Sequence, residues 1–131
     1  MRQFALPSSF DNRMPEGLRA AVRDRYFWAM LIVALFVNLG LFAFLILLAP
    51  QLPPLVPLHF DGAGQPDRIE AKDAIFSLPQ IGLLMIILNF ALGAFAFRRD
   101  ALVTYLLGGV AIVVQLLLWF AAISIVRVVV G

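Results

Sequence analysis

Cysteine is absent from this 131-residue chain, which excludes disulfides, thiolate zinc sites, iron–sulfur clusters and thiol nucleophiles. Histidine occurs once, as His59, so no histidine pair can ligate a metal. Charge is scarce too: 14% of residues are Asp, Glu, Lys or Arg, with a net charge of +2. That is far below the share carried by ordinary soluble domains. The Arg residues sit beside apolar runs instead of forming a basic patch, so nucleic acid is not an expected partner.

What fills the chain is hydrophobic sequence, 63% of all residues. Three uncharged runs stand out, Phe27 to Ala49, Leu78 to Phe97 and Ala101 to Val126. The first, 23 residues long, reaches about 34 Å at about 1.5 Å per residue, enough to cross a hydrocarbon core of about 30 Å. The predicted fold class is an all-α membrane protein of three transmembrane helices. Residues 1–26 form a polar cytoplasmic segment, 27–49 the first span, 50–77 an outer loop and 78–97 the second span. Residues 98–100 form a cytoplasmic turn, 101–126 the third span and 127–131 an outer tail. The first run is too long, and its leader too extended, for a cleaved secretory signal, and Arg2 after Met1 excludes myristoylation.

The orientation follows from the basic residues. Arg2, Arg13, Arg19, Arg23 and Arg25 lie in the leader and Arg98 and Arg99 in the short turn, against Arg68, Lys72 and Arg127 elsewhere. The positive-inside rule then puts the N-terminus and the turn in the cytoplasm, and the loop and C-terminus outside. Leu18, Ala21, Val22 and Tyr26 recur at helical spacing and predict a short amphipathic helix at the cytoplasmic interface. Tyr26, Trp28, Trp119 and Phe120 suit interfacial anchors. Ser77-Leu78-Pro79-Gln80 reads as a capping box opening the second span, with Ser77 as the cap. The short turn makes spans two and three antiparallel neighbours.

Each span carries one amide: Asn38, Asn89 and Gln115. An amide facing lipid is costly, so all three are expected to make interhelical contacts worth about 0.6–2 kcal/mol each. A substrate or ion path is the sharper alternative, weakened because no ionisable residue lies at mid-depth, where proton relays and ion couplings usually place one.

The outer loop is the distinctive segment. Pro50, Pro53, Pro54 and Pro57 impose an extended, polyproline-like path, Leu58 to Phe60 can continue as a short strand, and Asp61-Gly62-Ala63-Gly64 suits a tight turn. In an extended stretch His59 and Asp61 share one side and are expected to brace the loop. Four prolines limit the entropy lost on docking, and Leu55, Leu58 and Phe60 are the expected apolar anchors. With His59, Asp61, Asp67 and Arg68 they make up the candidate partner-docking set. No catalytic, cofactor-binding or metal-ligating set is expected: His59 lacks an imidazole partner, and the nearby hydroxyl of Ser77 is assigned to a helix end.

Leu52-Pro53, Val56-Pro57, His59-Phe60, Gly64, Pro66-Asp67 and Lys72, closing near Leu78-Pro79, stand in the order of a known hallmark. By these residues the loop resembles the bacterial membrane family called domain of unknown function 1648. That resemblance implies a small multi-span protein, in a family some of whose members are joined to domains of peptide-toxin immunity proteins that also act in signalling. The expected function is a non-catalytic accessory subunit of a larger bacterial inner-membrane complex, an energy-transducing one included. Its partners are then other membrane subunits and the bilayer. The alternative is a free-standing immunity-like or receptor-like protein whose outer loop binds a peptide or a regulatory partner.

Overall fold

A computed structural model describes residues 13–131. Four helices and one β-hairpin follow in order: α1 (Glu16–Arg23), α2 (Arg25–Leu48), β1 (Leu55–Phe60), β2 (Pro66–Ala71), α3 (Ser77–Ala96) and α4 (Ala101–Val130). Short 3₁₀ turns, Ala49–Gln51 and Lys72–Phe76, join the hairpin to α2 and α3. Among the described residues, three helical segments, containing α2, α3 and α4, are long and apolar enough to cross a bilayer. Their outward faces are those of a membrane protein: Phe36 is 78% exposed, and Ile32, Leu47, Leu92 and Leu117 are exposed with it. Such surface is stable in lipid and would aggregate in water.

Asp24 separates α1 from α2. Its extended backbone (φ −85°, ψ 125°) breaks the helix, and its carboxylate accepts a hydrogen bond from the Phe27 amide at 2.7 Å, capping α2. The other carboxylate oxygen accepts from the Tyr105 hydroxyl at 2.9 Å, tying this joint to α4. α1 buries Gly17 and Ala21 and packs on the end of α3. A Cβ at Gly17 would stand 2.7 Å from the Phe95 carbonyl oxygen, so the helix approaches that closely only with glycine. Glu16 forms an ion pair with Arg98 beside the α3–α4 turn.

The third span, α4, runs to Val130, past the expected end at Val126. Arg127 does not stop it, because a cation in a last turn complements the C-terminal end of the helix dipole. The second span, α3, begins differently from the capping box read in the sequence. Ser77 makes no side-chain cap because the preceding 3₁₀ turn, whose Ala74 and Ile75 carbonyls accept from the Ser77 amide, leads directly into the helix and leaves Ser77 with helical backbone. Asp100 does cap, accepting from the Leu102 amide at 2.9 Å at the start of α4. α3 and α4 pack closely, with the Thr104 hydroxyl donating to the Gly93 carbonyl at 2.6 Å.

Two apolar clusters hold the bundle. One, near α1, includes Phe27, Ala34, Ile86, Phe90 and Ala111, with Phe27 and Phe90 edge-to-face at 5.4 Å. The other joins Leu41 and Leu45 of α2, Val56 of the hairpin, Ile75 below it, and Ala122 and Ile125 of α4. Trp119 is drawn into this region and is no simple interfacial anchor. Its indole N–H donates to the Val37 carbonyl at 2.9 Å and its ring packs on Phe44.

Candidate functional site

The loop between α2 and α3 is a two-stranded antiparallel hairpin, with Leu55 opposite Ala71, Val56 opposite Glu70 and Pro57 opposite Ile69. Asp61 builds its tip. Its carboxylate accepts from the amides of Ala63 and Gln65, both at 2.8 Å, and its own amide donates to the Gln65 carbonyl at 2.8 Å. Gly64 completes the reversal at φ +78°, where a side chain would be strained. At the base the Lys72 amide donates to the Pro54 carbonyl at 2.9 Å, and its ammonium reaches the Ala49 carbonyl at 3.4 Å. Lys72 thus places a cation at the C-terminal end of α2. Strand alternation then turns the nitrogen of Pro57 toward the free edge, where its missing donor costs nothing.

His59 pairs with Asp67, Nδ1 to Oδ1 at 2.5 Å, across the strands and not with Asp61. Arg68 pairs with Glu70. His59, Asp61, Asp67 and Arg68 are all exposed. The apolar positions divide differently from the sequence reading. Val56 is fully buried, and Leu58 and Phe60 are half-buried against the cluster beneath the hairpin. Val56, Leu58 and Phe60 lie toward the helices as alternation predicts, although Pro57 between them is buried too and the register shifts on both sides of His59. Leu58 and Phe60 are therefore internal packing groups and not free anchors. The exposed apolar side chains of the hairpin are Leu55 (61%) and Ile69 (58%). Ile69 carried little sequence signal, standing alone in the polar run Pro-Asp-Arg-Ile-Glu-Ala.

Below the hairpin lies a cluster of amides. Asn38 Nδ2 donates to the Pro79 carbonyl and to Gln115 Oε1, each at 2.9 Å, and Gln115 Nε2 donates to the Gly82 carbonyl at 3.0 Å. All three spanning helices meet in these bonds. Gly82 permits them, since a Cβ there would lie 2.6 Å from both Asn38 Nδ2 and Gln115 Oε1. Asn89 stands apart: it is buried, but its amide donates to the Met85 carbonyl of its own helix at 2.8 Å. An amide can satisfy itself on the preceding turn, and Asn89 does so instead of crossing to a neighbour. Among the described residues, no three His, Cys, Asp or Glu side chains come together as metal ligands would.

Residues 35–83 match the model of a family described as a domain of unknown function, DUF1648. The match runs from the middle of α2 through the hairpin to the start of α3, so it contains Asn38, Lys72, Pro79 and Gly82 but not Gln115. Neither the curated proteins nor the solved structures include a match to the chain.

Proposed function

We propose, from the match of residues 35–83 to the DUF1648 model and from the hairpin it contains, that the protein is a non-catalytic accessory subunit of a larger membrane assembly, docked through that hairpin. The carrying observation is the outward face of that hairpin. Leu55 and Ile69 are exposed on a platform fixed by the Asp61 turn, the His59–Asp67 pair and the Lys72 contact. A fixed surface loses little conformational entropy on binding, so two apolar side chains there become effective anchors. His59, Asp61, Asp67 and Arg68 supply a polar rim around them.

The same reading places the protein in the bacterial cytoplasmic membrane, with the N-terminus and the α3–α4 turn inside and the hairpin and C-terminus outside. The distribution of basic residues supports it, as does the Glu16–Arg98 pair, which brings the basic leader and the basic turn to one end of the bundle. An Ala63→Cys variant is expected to react with an impermeant maleimide added outside, and Asn12→Cys is not; the reverse pattern overturns the orientation. Docking is tested by mild-detergent purification and mass spectrometry of co-eluting chains. Wild type is expected to carry defined membrane subunits that Ile69→Asp and Leu55→Asp lose, while insertion persists. Equal recovery of the same subunits with both variants removes the docking role.

A further inference from the structure

The amide cluster leaves one strong acceptor unused. Backbone carbonyls can only accept, so the Pro79 carbonyl must face Asn38 Nδ2 and the Gly82 carbonyl must face Gln115 Nε2. Gln115 Oε1 is then left to receive the second N–H of Asn38. Both N–H groups of Asn38 are spent, whereas its Oδ1 accepts no hydrogen bond among the described residues. The serial arrangement polarises that oxygen further. An amide oxygen without a donor is expensive at membrane depth.

Asn38 is only 3% exposed, yet it lines a cavity of about 330 Å³ between α2 and α3. Leu35, Leu39, Phe42 and Leu83 form the apolar walls, Pro79 and Gln80 line one end, and the lining is almost wholly apolar. Leu39 and Leu83 are themselves exposed, so the cleft opens onto the surface that faces lipid.

We propose that this cleft binds a neutral lipid made of an alkyl chain ending in a free hydroxyl. The walls suit an alkyl chain, and the volume lies at the small end of ligand sites. A partner helix, about 10–12 Å across with its side chains, is too wide for it. No Lys, Arg or His lines the cleft, so a phosphate headgroup would meet no counter-charge. A hydroxyl is both donor and acceptor. It donates to Asn38 Oδ1, the one acceptor the amide cluster leaves without a donor, while the alkyl chain lies along the apolar walls.

The test uses the full chain, in native membranes and after purification, with a 1-hexadecanol probe carrying a mid-chain diazirine. After irradiation, adducts are expected on Leu35, Leu39, Phe42 or Leu83. Unlabelled 1-hexadecanol should displace the probe, and its methyl ether, which cannot donate, should compete about tenfold more weakly. Leu83→Trp fills the cleft without touching the amide cluster, and it should abolish the adducts while leaving thermal unfolding unchanged. Equal competition by the ether overturns the proposal, as water or nothing then meets Asn38. Adducts spread over Leu106 and Leu117 of α4 also overturn it, because the probe is then only sampling the apolar belt. So does cleft labelling seen in detergent but not in native membranes, where a protein partner would be filling the space.

Discussion

Replacing Gly82 by alanine is a sharp test of the amide cluster, because the same substitution elsewhere in the bundle should have the opposite sign. A methyl at Gly82 would stand 2.6 Å from Asn38 Nδ2 and Gln115 Oε1 and 2.9 Å from Leu118 Cδ1. Overpacking of this kind costs about 1–3 kcal/mol. It also pushes Gln115 off its two bonds, to Asn38 and to the Gly82 carbonyl, each worth about 0.6–2 kcal/mol. Alanine's better helix propensity returns about 1 kcal/mol. The net expectation is a loss of about 3 kcal/mol. Gly109 is the control: nothing lies within 4 Å of a Cβ built there, so Gly109→Ala should gain up to about 1 kcal/mol. Both variants can be unfolded by SDS titration in mixed micelles and followed by far-ultraviolet circular dichroism. If Gly82→Ala is as stable as Gly109→Ala, the amides do not hold the helices together and the assignment of the cluster fails.

In the same assay Gln115→Leu should lose about 0.6–2 kcal/mol for each of its two bonds, whereas Asn89→Leu should stay within about 0.5 kcal/mol, since its bond returns to Met85 in its own helix. Equal losses for the two would contradict the distinction. Gly64→Ala should cost about 1–2 kcal/mol from its left-handed backbone and speed hydrogen–deuterium exchange at the Ala63 and Gln65 amides. Lys72→Met removes a cation from the end of α2 and should cost about 0.3–1 kcal/mol, seen as faster exchange in residues 49–56. Unchanged exchange there would reduce Lys72 to a surface residue.

The spans were legible in the sequence because uncharged runs of that length have few other uses. The hairpin was legible only by half. Leu58 to Phe60 shows strand composition, but β2 contains Pro66, Asp67, Arg68 and Glu70, a run that reads as a solvated loop. Its pairing is imposed from both ends, by the Asp61 turn and the Lys72–Pro54 hydrogen bond. Ser77 has the residue type of a cap, yet the 3₁₀ turn before it runs straight into the helix, so Ser77 has helical backbone where a cap needs an extended one. The amides were visible as polar groups, but their partners were not. Two are the backbone carbonyls of Pro79 and Gly82, which carry no residue signature, and nothing in spacing separates Asn38 from Asn89. Leu58 and Phe60 look like exposed anchors until the hairpin is laid on α2 and α4.

The hairpin's seat also imposes an order on biogenesis. Val56 and Ile75 are closed in by Leu41 and Leu45 from the first span and by Ala122 and Ile125 from near the end of the last. During synthesis, which runs from the N-terminus, the hairpin leaves the ribosome well before the residues that complete its floor. Through that interval its apolar underside has only one wall, and Asn38 waits for Gln115 in the same way. The final helix therefore acts as the latch of the assembly. A chain stalled or truncated before Gln115 would leave Leu41, Leu45, Val56 and Ile75 without the Ala122 and Ile125 wall, as one exposed apolar patch prone to aggregation.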